Sequence, residues 1–98
     1  MIVRIVHMHF NAHDIDAFKL LFKEHKEAIR NQPGCTFLEL YQDTIDKQRF
    51  FTYSHWSNES ALNNYRHSAL FAKVWPATKV LFDQQPKAYS VNKIHSLA

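Results

Sequence analysis

A chain of 98 residues is short for two domains and holds no Pro-, Gly- or Ser-rich stretch that would serve as a linker, so one domain spanning 1–98 is expected. With 46% hydrophobic and 14% aromatic residues it is far from disordered composition, and its net charge of +3 arises from Lys and Arg interspersed with Asp and Glu, which leaves no basic patch to hold nucleic acid. The lone Cys35 excludes an intrachain disulfide, no apolar run approaches the roughly 18–20 residues of a membrane span, and Met1 leads straight into strand-like sequence. A soluble cytoplasmic protein is therefore expected, with no membrane or nucleic-acid partner.

Ile2 to Phe10 is rich in β-branched residues and closed by Asn11, which reads as a first strand. From Asp14 the period changes: Ile15, Phe18, Leu21, Phe22, His25 and Ile29 share one face, with Lys and Glu largely on the other, giving an amphipathic helix. Asn11 or Asp14 is its expected cap, and Pro33-Gly34 its stop. Thr36 to Gln42 alternates again, the polar turn Asp43 to Lys47 reverses the chain, and Arg49 to Trp56 completes a hairpin. Ser57 is the expected cap of a second helix, which Pro76 should kink or force to restart at Ser68 or near Trp75; the helical pattern then resumes through Val80, Leu81 and Phe82 to Pro86. Lys87 to Ile94 reads as a fourth strand. The order β-α-β-β-α-β predicts an α+β, ferredoxin-like sandwich with two helices on one face of an antiparallel sheet.

Two helices cover only one sheet face, yet the first and third strands carry bulky side chains on both alternating sets: Val6, Met8 and Phe10 against Val3 and Ile5, and Phe51 and Tyr53 against Phe50 and Trp56. At about 25 cal/mol per Å² of apolar surface, leaving several of these wet would forfeit several kcal/mol, comparable with a small domain's whole stability. A homodimer is the expected remedy, with two sheets facing each other as a barrel whose inner polar side chains line a chamber.

Alternation suggests that His7 and His9, then Phe37, Glu39 and Tyr41, then Thr52, Ser54 and Trp56 share that inner face. Histidines, a carboxylate and aromatic rings in a partly dry chamber are the ingredients of a small-molecule site with a tunable base. His7 and His9 beside Glu39 also have the residue types of a metal triad, but histidine pairs on strands are more often plain polar lining, and no metal site is assigned. His55 alternates away from this set and is expected on the helix-packed face. Trp56 ends the third strand and the helix after it carries Tyr65, His67 and Trp75; Trp56 and Trp75 are core anchors or pocket walls, or both.

The run Trp56-Ser57-Asn58-Glu59-Ser60-Ala61-Leu62, followed by Tyr65, His67-Ser68 and Phe71, resembles the antibiotic biosynthesis monooxygenase family. Met1 to Val6, Pro33-Gly34-Cys35 and Phe50 to Ser54 fit as well, so the resemblance spans nearly the whole chain. It implies a dimeric α+β barrel and oxygenation of quinol- or anthrone-like aromatics by O2 without metal or flavin, hence no cofactor. Haem-degrading relatives carry an Asn, a Trp and a haem-ligating His where this chain has His7, Tyr65 and Trp75, so the axial ligand is missing. In the cofactor-free chemistry His7 or His9 is the candidate base, Trp56 and Tyr65 are candidate donors to the substrate oxygen, and Phe37, Phe71 and Trp75 are candidate apolar wall, with Glu39, Tyr41, Thr52, Ser54 and His67 as further lining. The alternative is a non-catalytic, ligand-binding or stress-associated dimer of the same fold.

Overall fold

The computed structural model describes residues 1–98. The chain runs β1 (Ile2–His9), a 3-10 turn (Ala12–Asp14), α1 (Ile15–Arg30), β2 (Cys35–Gln42), β3 (Arg49–Trp56), α2 (Glu59–Arg66), α3 (Ala69–Lys79) and β4 (Lys87–Val91). All strand pairs are antiparallel and the sheet order is β2-β3-β1-β4. This is the α+β, ferredoxin-like plan read from the sequence. No helix is long and apolar enough to cross a membrane.

The expected second helix divides where Ser68 offers a cap: its hydroxyl accepts from the Phe71 amide at 3.1 Å and α3 begins at the next residue. Pro76 lies inside α3 without ending it. The helix does not extend to Pro86 as the pattern suggested. It stops at Lys79, and Phe82 instead makes an isolated bridge to Phe10. β4 is shorter than expected, ending at Val91. The caps differ too: Asn58, not Ser57, accepts from the Ala61 amide at 2.8 Å, while the Ser57 hydroxyl donates to Gly34 O. Neither Asn11 nor Asp14 makes a side-chain cap bond; the Asn11 amide donates to Leu81 O, tying the end of β1 to the segment after α3.

Gly34 has φ +85°, and a Cβ there would stand 2.4 Å from that of Ala61, so this turn requires glycine both conformationally and sterically. It lets α2 approach the β2 entry, where Ser57 N donates to Gly34 O at 2.8 Å.

The helices meet the sheet in two separate apolar clusters. Met8, Phe10, Phe18 and Phe50 form one, with Phe10 stacked on Phe18 at 4.0 Å; Cys35, Trp56 and Leu62 form the other, with Tyr65 stacked on Trp56 at 5.1 Å. Only 12 of 98 residues are buried, so the core of one copy is thin.

At the far end of β1, His9 is held between two carboxylates: Nδ1 donates to Asp83 at 2.6 Å and Nε2 to Asp46 at 2.8 Å. The clamp joins β1, the β2–β3 turn and the chain after α3. The bond to Asp83 chiefly, with that to Asp46, raises the His9 pKa against the opposing effect of burial. Only the imidazolium can donate to both carboxylates. A raised folded-state pKa stabilises fully below the ordinary value near 6.5 and is lost as pH rises through the folded value. The stability difference between wild type and His9→Gln, measured by urea melts, should be largest near about pH 6 and narrow toward about pH 9. A difference that stays constant or widens over that range would contradict the clamp.

Candidate functional site

The strand register splits the expected inner face in two. Cross-strand partners share a face in an antiparallel sheet. Phe37 pairs with His55, Glu39 with Tyr53 and Tyr41 with Phe51; His7 also pairs with Phe51, and His9 with Arg49. These lie on the face without helices. Thr52, Ser54 and Trp56 belong to the opposite set, with partners Val6, Arg4 and Ile2, and face the helices. The expectation that all eight line one chamber is therefore corrected: β3 runs one residue out of phase with the alternation expected for it, which exchanges faces. His55 accordingly lies on the bare face, stacked on Phe37 at 4.7 Å, and not against the helices.

A cavity of about 270 Å³ lies between the sheet and the helices, bounded by both apolar clusters. Of the residues singled out from sequence it gathers Thr52, Ser54, Trp56, Tyr65, Phe71 and Trp75. His7, His9, Phe37, Glu39, Tyr41 and His67 do not line it. His67 is exposed, its Nδ1 donating to Asn63 O at 2.7 Å, and Tyr41 donates to Glu39 on the bare face. His7, His9 and Glu39 do not assemble into a metal-binding group.

Sequence reasoning missed the floor and ceiling contributed by Val6, Leu38, Leu62 and Val74, and two cations, Arg4 and Arg66. Arg4 had a readable signal, a lone charge between Val3 and Ile5 in an apolar strand.

The cavity has an aromatic roof and a polar row across its floor. Tyr65 meets Phe71 edge-on at 5.2 Å, and Phe71 stacks with Trp75 at 5.7 Å. Beneath them Ser54 and Arg4 are cross-strand neighbours that line the cavity, and Ser90 pairs with Arg4 on the exposed edge strand outside it. Trp56 Nε1 donates to Ser54 Oγ at 3.0 Å, so the indole N–H is already used. It fixes the serine oxygen and leaves the serine proton free to donate into the cavity. The hydroxyls of Thr52 and Tyr65 make no hydrogen bond within the protein. Burial, with the neighbouring Cys35, pushes the Tyr65 pKa up to about 12, so this phenol is a donor and not a base near neutral pH. Burial lowers the Arg4 pKa, and Arg66 adds to the effect. Neither a carboxylate nor an imidazole lines the cavity.

A wider, more open groove of about 470 Å³ runs between α1 and β2 and shares Phe22 and Leu38 with the cavity, so these two side chains stand between the groove and the interior.

On the bare face, Arg49 Nε donates to His7 Nε2 at 3.2 Å, and His7 Nδ1 and His55 Nε2 are buried without a partner. Burial is the main cause lowering both pKa values, joined by Arg49, His9 and Lys87 for His7 and by Lys93 for His55.

The model of the family described as antibiotic biosynthesis monooxygenase matches residues 1–75, which contain every strand but β4 and most of the cavity lining. The chain belongs to the antibiotic biosynthesis monooxygenase family. Comparison with curated proteins found no match. Solved structures share the fold: an antibiotic biosynthesis monooxygenase superposes with TM-score 0.90 at 21% identity, covering 97% of this chain and 100% of its own. A conserved protein of Methanosarcina mazei Go1 gives TM-score 0.88 at 19% identity, covering 95% of this chain and 93% of its own. Rv0793 of Mycobacterium tuberculosis gives 0.88 at 14% identity, covering 99% and 98%. The family fold thus includes β4, beyond the matched residues.

Proposed function

We propose that the chain is a cofactor-independent monooxygenase that oxidises a small electron-rich aromatic, quinol- or anthrone-like, with O2 in the cavity beneath α2 and α3. The observation that carries this reading is the serine hydroxyl oriented by an indole N–H and set beside a guanidinium under an aromatic roof. The volume, about 270 Å³, lies just below the roughly 300–1,000 Å³ typical of ligand pockets, which suits a few fused rings.

The substrate's hydroxyl or enol oxygen accepts from Ser54, and the charge of Arg4 favours its ionised form. The proton is lost to bulk water as the substrate enters, before its ring is seated and water excluded, since no lining side chain is a base; His7 and His9, on the other face, are not assigned that role. The anion passes one electron to O2, and the resulting radical and superoxide combine at the activated carbon as a peroxide. Loss of water leaves a carbonyl there. One oxygen atom ends in the product and one in water, all four electrons come from the substrate, and no external reductant is required. Trp56 acts through Ser54 and is a positioning residue, whereas Tyr65, Phe71 and Trp75 hold the ring and exclude water.

The lack of a lining base also favours the second reading, a binder that sequesters such aromatics without turning them over.

We further propose a homodimer that pairs the bare sheet faces. That face carries Phe37, Phe51, Tyr53 and Ile5, with His7 and His55 biased toward the neutral state that an apolar interface tolerates. The buried lone thiol of Cys35 accords with a reducing cytoplasm.

Oxygen uptake with a panel of anthrones and hydroquinones should exceed the protein-free rate, and Ser54→Ala should lower it by about a hundredfold, the usual cost of one oxyanion donor. Stoichiometric binding without oxygen consumption would replace the enzyme by the binder. Light scattering at micromolar concentration should give twice the 11.6 kDa chain mass, and a monomer would refute the pairing.

A further inference from the structure

The cavity holds one more positive charge than a phenolate needs. Arg4 enters from the middle of β1 and Arg66 from the last turn of α2, and both line the cavity. Every ion pair of the molecule involves other residues: His9, His13 and Arg49 with Asp14, Asp43, Asp46 and Asp83. Neither Arg4 nor Arg66 has a carboxylate in reach. Arg4 makes a single side-chain hydrogen bond, Nη1 to Ser90 Oγ at 2.9 Å, and Arg66 makes none. Most of the ten N–H donors of the two guanidiniums are thus unused.

Arg4 is half-buried and Arg66 exposed at the rim, so the two like charges with no carboxylate between them repel at one cavity, and an anion held between them relieves that repulsion. Burial first, and then the charge of Arg66, lowers the basicity of Arg4. The dipole of α2 accounts for a cation in its last turn, but not for a second one brought from the sheet to the same cavity. Guanidiniums match carboxylates bidentately, with planar fork against planar fork.

We propose that Arg4 and Arg66 together bind the carboxylate of an aromatic hydroxy acid, whose ring lies under Tyr65, Phe71 and Trp75 with its hydroxyl toward Ser54. This rests on the reading of the cavity as a site for electron-rich aromatics and narrows it to acids. An uncharged quinol of the same shape fills the roof but leaves the Arg66 charge unanswered.

The test compares 1-hydroxy-2-naphthoic acid with its neutral isostere 1-hydroxy-2-naphthamide, by quenching of Trp56 and Trp75 fluorescence in the full chain. The acid should bind at least about tenfold tighter, the effect of one charge-assisted bond. Arg66→Gln, a change at an exposed side chain, should abolish that preference while leaving the amide's affinity as in wild type, which also reports an intact cavity. Equal affinities in wild type, no binding of the acid, or a preference that survives Arg66→Gln overturns the proposal. Preferential binding of the acid together with no oxygen uptake across the anthrone and hydroquinone panel upholds the carboxylate site and removes the monooxygenase reading.

Discussion

The helices are held to the sheet at two places and not along their length, and the cavity is what lies between. At one end Phe10, Phe18 and Phe50 interlock β1, α1 and β3; at the other Trp56, Leu62 and Tyr65 join β3 to α2. Aromatic rings at both ends hold the layers apart by their own thickness, while the residues between are smaller: Val6, Leu38, Thr52 and Ser54. Restarting the helix at Ser68 serves the same arrangement, because it turns α3 so that Phe71 and Trp75 come over the gap as a roof. A single continuous core would have filled this volume.

Much of this was legible in the chain. Period-two runs gave the strands and the period-3.6 run after Asp14 gave α1, while the restart expected from Pro76, at Ser68 or near Trp75, falls at Ser68, where the cap and not the proline sets it. The limits of the second helix were less legible. Val80, Leu81 and Phe82 look like continued helix, but Phe82 is needed against Phe10 and the backbone bridge there ends the helix. The candidate site was half legible. Its residues in β3 and the helices were identified by type and motif, but their grouping with His7, His9 and Glu39 depended on strand phase, which a sequence with aromatic side chains on both faces does not fix. Phe50 and Phe51 are adjacent, equally apolar, and point to opposite faces.

The register also separates two properties that the sequence had merged. His7, His9, His55 and the Glu39–Tyr41 pair belong to the bare face, whose aromatic character suits self-association, whereas the helix-covered cavity holds the hydroxyls and guanidiniums suited to an oxygen anion. The proposed oxygenation on such a floor would depend on stabilising an anion more than on a protein base, and would favour substrates acidic enough to ionise near neutral pH and electron-rich enough to reduce O2 themselves.

The location of the ligand is the point on which this account turns. Intermolecular NOEs from a bound hydroxynaphthalene, measured on the isotope-labelled chain, address it directly. A ligand in the cavity gives contacts to the Met8 methyl, the Val6 methyls and the Trp56 indole, all on the helix-covered face. Contacts to Tyr53, His55 or Phe37 with none to Trp56 would place the ligand on the bare sheet face and contradict a site in the cavity.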